Sequence, residues 1–377
     1  MFYIVIFALL AVLGGANYYL ANFMWRWMHQ LLPKFSIAMP LVIFGILTIL
    51  TVLGFFKPFQ GGLQRCISFA GNIWMGIFVY MLLLCIAADL VLLLVWLLRI
   101  VPADAMTRIR IAAGISATVF AIAVSIYGMC NARNVHKVEY DVQLSDAPSS
   151  QLTVALISDV HLGAIGSEKR LEKIVEKINA MSPDIVCIAG DLFDTDYRTI
   201  KDPQTAIGLF QSIDSTYGVY ACLGNHDAGQ TLPQMLDFMQ QADIQLLADA
   251  YVVIDDRLIL AGRLDPSPIG GVGELKRGQM ETVLQDADQN LPVIVLDHNP
   301  ASVDSYHGEA NLILSGHTHK GQLFPGSLIT NAINTVDYGY YRASDGTQTI
   351  VTSGAGAWGP PMRVGTQCEV VKINLQF

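Results

Sequence analysis

The sequence predicts two parts of different class: an N-terminal all-α region of four transmembrane helices over residues 1–130, and a C-terminal α/β domain over residues 152–377, joined by a linker at 131–151. Three observations predict this. Formal charge is divided unevenly, with seven Lys/Arg and two acids up to Cys130 (net +5) against 16 basic and 30 acidic residues after it (net −14). Hydrophobic residues make up 53% of the chain, and their excess lies in the first third. The remainder alternates short β-rich runs with helical periodicity, and side chains of metal-ligand type follow five of those runs.

A bilayer core takes about 20 apolar residues in helix, since every backbone polar group must be satisfied within the segment. Met1–Trp25 and Ser36–Phe56 contain no charge, Ile67–Leu98 contains only Asp89, and Ile111–Cys130 contains none. Nothing basic precedes Arg26, so the first stretch lacks the flank of a secretory signal and is expected to be retained as a span. Four spans put both ends of the chain on one side. Arg26, Lys34, Arg99, Arg108 and Arg110 fall in loops on one face and Lys57, Arg65, Arg133 and Lys137 on the other, a five-to-four difference that favours an extracytoplasmic globular domain. Asp89 is costly inside a span, so it serves as a proton or substrate contact or, the run from Ile67 being longer than one crossing, sits near an interface or bonds to a neighbouring helix.

From Asn131 to Gln151 the composition turns polar, with Asp146, Pro148, Ser149 and Ser150 marking a linker. Strands are then expected at Leu152–Ile157, Asp184–Ala189, Gly218–Leu223, Tyr251–Ala261 (broken by Asp255-Asp256), Pro292–Leu296 and Asn311–Leu314. Leu171, Ile174, Val175 and Ile178 recur at helical spacing, and a second helix is expected over Leu232–Gln241. The six cysteines form no C-x-x-C pair, and Cys187 and Cys222 sit in apolar runs that suit a core. An acidic domain without clustered Lys/Arg excludes a nucleic-acid partner.

In layered α/β domains the ligand site gathers at loops beyond the carboxyl ends of strands. Ser158-Asp159-Val160-His161 follows the first strand, Gly190-Asp191-Leu192-Phe193-Asp194 the second, and Gly224-Asn225-His226-Asp227 the third. Asp297-His298 and Ser315-Gly316-His317-Thr318-His319 follow the runs ending at Leu296 and Leu314. Five of the chain's eight histidines fall in these motifs. A single D-x-H is a weak signal, but five motifs in order are not what core packing produces. Carboxylate and imidazole donors suit Mn, Fe or Zn, and a shared carboxylate can bridge two ions roughly 3.5–4 Å apart. Such a pair clamps a phosphate and turns a water into a nucleophile near neutral pH.

This series resembles that of the calcineurin-like metallophosphoesterases, namely D-x-H, G-D-x-x-D, G-N-H-D/E, a lone His and G-H-x-H, over about Leu152–Phe377. It is most similar to a membrane-associated branch of bacterial phosphodiesterases. The resemblance implies two packed mixed β-sheets flanked by helices, two divalent metal ions (Mn favoured over Fe, Zn and Mg), and a multi-pass protein of a bacterial cytoplasmic membrane. It makes Asp159, His161, Asp191 and His319 ligands of one ion and Asp191, Asn225, His298 and His317 ligands of the other, with Asp191 bridging. It makes His226 a donor to the phosphate or leaving group, oriented by Asp227, and Asp194 a support behind a ligand. Similar Gly/Pro-rich segments to Gly354–Arg363 close the site in that branch, so Arg363 is expected either to bind a phosphate or head group or to be a solvated turn residue. Trp358 would stack on substrate or enter the membrane interface. Lys320, where that branch commonly has glycine, would favour anionic substrates or point to solvent. His307 matches no motif and reads as a surface residue.

The expected activity is hydrolysis of a phosphodiester, phosphomonoester or pyrophosphate by metal-activated hydroxide. A lipid or lipid-linked substrate is favoured, because tethering to a bilayer raises its effective concentration. The alternatives are a phosphodiesterase on a soluble nucleotide or other ester, a non-catalytic metal-binding scaffold, which would be expected to lack ligands, and a transporter.

Overall fold

The computed structural model describes residues 2–102, 104–145, 148–166, 168–267, 276–306 and 308–377, so Asp146 and His307 lie outside the described residues. Two compact units are present, one built on Met1–Met129 and the other on Cys130–Trp358 with Met362–Phe377.

The first unit consists of helices α1 (Phe2–Leu31), α2 (Ala38–Phe56), α3 (Gly61–Leu97) and α4 (Met106–Asn131), one for each apolar stretch. By length and composition α2, α3 and α4 can each cross a membrane, which makes the chain a membrane protein. Small residues allow α2 and α3 to approach: a Cβ on Gly71 would overlap the backbone of Leu50 and Thr51, and the Thr51 hydroxyl donates to the Gly71 carbonyl at 2.9 Å. Asp89 accepts from Arg26 Nη2 at 2.6 Å and from the Tyr19 hydroxyl at 3.0 Å. Its charge is thus answered from α1, which is the neighbouring-helix reading.

The second unit is a sandwich of two six-stranded sheets. Its strands are β1 (Val135–Gln143), β2 (Gln151–Ile157), β3 (Ile185–Ala189), β4 (Val219–Cys222), β5 (Ile244–Leu246), β6 (Ala250–Ile254), β7 (Leu258–Gly262), β8 (Val293–Leu296), β9 (Leu312–Ser315), β10 (Gly339–Arg342), β11 (Gln348–Val351) and β12 (Cys368–Gln376). Its helices are α5 (Glu168–Asn179), α6 (Pro203–Gln211), α7 (Leu232–Gln241), α8 (Met280–Val283) and α9 (Gly326–Ile333). One sheet runs β1-β12-β2-β3-β4-β5 and the other β10-β11-β9-β8-β7-β6, each mixing parallel and antiparallel pairs. Leu156, Cys187 and Val371 of the first sheet and Leu260, Leu296 and Leu314 of the second share one buried cluster, the layer between the sheets. A second cluster packs the apolar stripe of α5 (Leu171, Ile174, Val175, Ile178), with α6 and α7, against the outer face of the first sheet. Both Cys187 and Cys222 are buried and unpaired, as their apolar runs suggest.

The segment 131–151 is not only a linker. It carries β1, paired in parallel with β12 from Val135↔Cys368 to Gln143↔Gln376. Only Val135 and Val142 are buried in it, and the polar side chains between them are those of an edge strand. A fragment starting at Leu152 is therefore expected to melt at lower temperature and aggregate more than one starting at Asn131, because the edge of β12 is uncovered. Equal melting and elution behaviour of the two fragments would contradict this.

Candidate metal centre

Strands β2, β3 and β4 lie side by side in parallel, as do β8 and β9 in the other sheet. The loops at their carboxyl ends therefore converge, and they carry all five motifs. The backbone there is unusual: Asp159, His161, Asp191, His317 and His319 have φ of 53°, 50°, 53°, 70° and 50°. L-residues avoid this left-handed region by about 1–2 kcal/mol each, and such strain clusters where side chains must be aimed. Two glycines make the convergence possible. A Cβ on Gly316 would overlap Ser158 Oγ and Asp159 Oδ2, and one on Gly224 would overlap the Asp191 carboxylate.

Two groups of donor atoms meet at Asp191. In the first, His161 Nε2 lies 3.1 Å from His319 Nε2, and Asp159 Oδ1 lies 3.9 Å from the former and 3.4 Å from the latter. In the second, His298 Nε2 lies 3.2 Å from Asn225 Oδ1 and 3.3 Å from His317 Nδ1, which is itself 2.8 Å from Asn225 Oδ1. Asp191 Oδ2 stands 3.8 Å from His161 Nε2 and 3.2 Å from His298 Nε2. Asp159, Asp191 and His298 are almost wholly buried.

Neighbouring groups aim these donors. Ser158 Oγ donates to Asp159 Oδ2 at 2.5 Å, and the His226 amide donates to Asp191 Oδ1 at 2.8 Å. The Ala189 carbonyl accepts from His298 Nδ1 at 2.8 Å, which leaves Nε2 for the site. Burial pushes the Asp159 carboxyl up, and the Asp191 charge adds to this. Burial acts upward on Asp191 too, but His298, His161 and His226 outweigh it and hold that carboxyl low. Burial takes His161 down to about 3 and, with Arg363, takes His319 well below its usual range, so both imidazoles are neutral.

The donor set fits divalent cations. Buried carboxylates with no Lys or Arg bonded to them among the described residues, imidazoles and an amide oxygen converge at separations of 2.8–3.9 Å, suited to metal–ligand bonds near 2.0–2.2 Å. Asp159, His161 and His319 form one candidate metal-holding group, Asp159, Asp191 and His298 another, and His161, Asp194 and His226 a third. Asp194 thus faces the rings of His161 and His226 from the rim.

Two expected roles are corrected. The Asp227 carboxylate accepts from the Phe193 amide at 2.8 Å and the Gly224 amide at 2.9 Å, tying two motif loops together. The partner of His226 Nδ1 is Thr195 Oγ1 at 2.7 Å, which follows directly on the Asp194 motif. Arg363 is neither solvated nor facing the substrate side. It is 0% exposed; its guanidinium donates to the Gly356 carbonyl and to the His319 carbonyl at 2.9 Å, and its Nη2 stands 2.9 Å from His319 Nδ1. Its length is needed to reach a ligand from behind. Lys320 places its ammonium 3.9 Å from the Tyr338 ring centroid, a cation–π contact. Trp358 is 42% exposed, with its ring 5.5 Å from that of His226.

Carboxylate, imidazole and amide donors buried at the strand ends of a two-sheet sandwich define a metal-dependent hydrolase site. Residues 152–321 match the family model described as calcineurin-like phosphoesterase. An uncharacterized metallophosphoesterase of Campylobacter jejuni is 31% identical over 264 residues, 69% of this chain and 67% of that protein. One from Aquifex aeolicus is 30% identical over 63% of this chain and 90% of its own length. A Danio rerio protein named transmembrane protein with metallophosphoesterase domain is 29% identical over 69% of this chain, which spans only 62% of it. The chain belongs to the calcineurin-like phosphoesterase family and is a metal-dependent phosphohydrolase.

Proposed function

We propose that the chain is a membrane-anchored dinuclear-metal phosphoesterase that hydrolyses a phosphodiester, phosphomonoester or pyrophosphate of a lipid or lipid-linked molecule. The observation that supports two ions is the place of Asp191 Oδ2 between the two donor groups. Asp159, His161, Asp191 and His319 hold one ion, and Asp191, Asn225, His298 and His317 the other. When bound, the ions, with Mn favoured, neutralise the phosphate and supply an activated water.

The remaining work falls to the chain's own side chains. With His226 Nδ1 engaged by Thr195, Nε2 is the nitrogen left to give a proton or hydrogen bond to a phosphate or leaving-group oxygen. Asp227 and Asp191 fix the backbone on either side of that imidazole. Trp358 forms an apolar wall beside His226, which suits the hydrocarbon part of a lipid ester better than a free nucleotide sugar. We place the activity in a bacterial cytoplasmic membrane with the catalytic unit on the extracytoplasmic side.

The test is turnover of bis(p-nitrophenyl) phosphate and of phosphorylated lipid by the full-length protein, stripped by chelator and then given Mn²⁺. Activity is expected to vanish on stripping and return with metal. Stripping should be easier below pH 6 than at pH 8, because protons compete for Asp159, whose carboxyl burial has pushed up. Metal-bound protein that turns over no phosphate ester would overturn the proposal.

A further inference from the structure

Beyond His319 the chain runs for sixteen residues, Gly321–Val336, without a formal charge, in a part of the sequence whose net charge is −14. Helix α9 lies in this run and has no buried residue. Leu328 and Ile329 are each 64% exposed and Ile333 73%, with Phe324 just ahead of the helix at 52%. Leu328, Ile329 and Ile333 share one face at helical spacing. Among the described residues of this unit, the other large hydrophobics comparably open to solvent are Val253, Tyr340, Tyr341 and Trp358. A helix that faces water carries its charges outward; α9 turns aliphatic side chains outward and has only Ser327, Thr330 and Asn331 for polar groups.

We propose that Phe324 and the Leu328/Ile329/Ile333 face of α9 form a membrane-contact surface that enters the interfacial layer of the bilayer. The occupant follows from the rest of the chain, since three membrane-crossing helices keep lipid permanently within reach of this unit. Absence of charge fits the same occupant, because ionised side chains are costly near hydrocarbon and carboxylates are repelled by anionic head groups. The surface is also tied to the metal centre. The Gln322 amide donates to the Trp358 carbonyl at 2.7 Å and its oxygen accepts from the Trp358 amide at 2.9 Å, and Trp358 in turn stands beside His226. A phosphorylated lipid lying along α9 would present its head group to His226; that clause rests on the proposed function, whereas the membrane contact does not.

The experiment uses the full-length protein in phosphatidylcholine–phosphatidylglycerol vesicles with brominated acyl chains. A sixth tryptophan is added to the native five at Ile329 (I329W) or, as reference, at the exposed Val253 of β6 (V253W). The emission added by I329W is expected to fall at least twofold in brominated relative to plain lipid, and that added by V253W to stay unchanged. Unquenched I329W emission would overturn the proposal, whether the face meets water or a second copy of the chain. Absence of phosphoesterase activity from the metal-loaded parent protein would overturn the proposed function and leave this result standing.

Discussion

Asp191→Asn is expected to cut turnover more than a hundredfold and to reduce bound metal below two ions per chain. Asparagine keeps the size and tolerates the left-handed backbone at φ 53°, so the variant should fold. What it loses is the charge at an oxygen that faces both donor groups, 3.8 Å from His161 Nε2 and 3.2 Å from His298 Nε2. Groups that only stand behind a ligand are worth about 10–100-fold, so a shared ligand is worth more. Metal analysis and steady-state kinetics on the same preparation separate this from His226→Asn, which should slow turnover with both ions retained. Unchanged turnover in Asp191→Asn would sink the bridging assignment.

Arg363→Met is expected to act on both stability and the metal centre. The substitution keeps an unbranched chain but removes the charged donor from the carbonyls of Gly356 and His319, leaving Cys368 Sγ to the first and the Gln322 amide and Thr366 hydroxyl to the second. A hydrogen bond made by a charged group contributes about 1.5–3 kcal/mol, so the second unit should lose stability of that order and melt at lower temperature. With the guanidinium gone from its carbonyl and from beside its ring, His319 should be less firmly placed and hold its ion less tightly. Arg363→Lys should rescue little, since a single ammonium cannot reproduce the planar fork that spans Gly356 and His319. A melting temperature and metal affinity equal to the parent's would show that Arg363 fills space only.

These two variants also mark where sequence reading succeeds and where it stops. The place of Asp191 among the donor groups was legible because such side chains follow apolar runs in short motifs, and both motif and run are local in the chain. The residues that aim the ligands were not. Thr195 serves His226 across 31 residues, and Arg363 serves His319 across 44. Nothing in the local pattern distinguishes a buried arginine that grips a carbonyl from one that binds phosphate. Asp227 shows the opposite failure: its motif neighbourhood with His226 is real, yet its carboxylate turns to the amides of Phe193 and Gly224.

The same division holds for the fold. By itself the sequence determined the apolar helices, the runs that form β2, β3, β4, β6, β7, β8 and β9 and the order of the motifs, because burial demands hydrophobic periodicity that is readable residue by residue. It did not disclose β1, whose nine residues are mostly polar and earn their place only by pairing with β12 more than two hundred residues later. Short partners such as β5, β10 and β11 were hidden as well, being only three or four residues long and without a continuous apolar run. Only the tertiary structure decided that the carboxyl ends of β2, β3 and β4 meet those of β8 and β9, so that Asp191 lies between two donor groups and a charge-free helix stands exposed nearby. Hydrogen-bond partners, burial and exposure are properties of neighbours in space, and a linear pattern does not state which neighbours a residue will have.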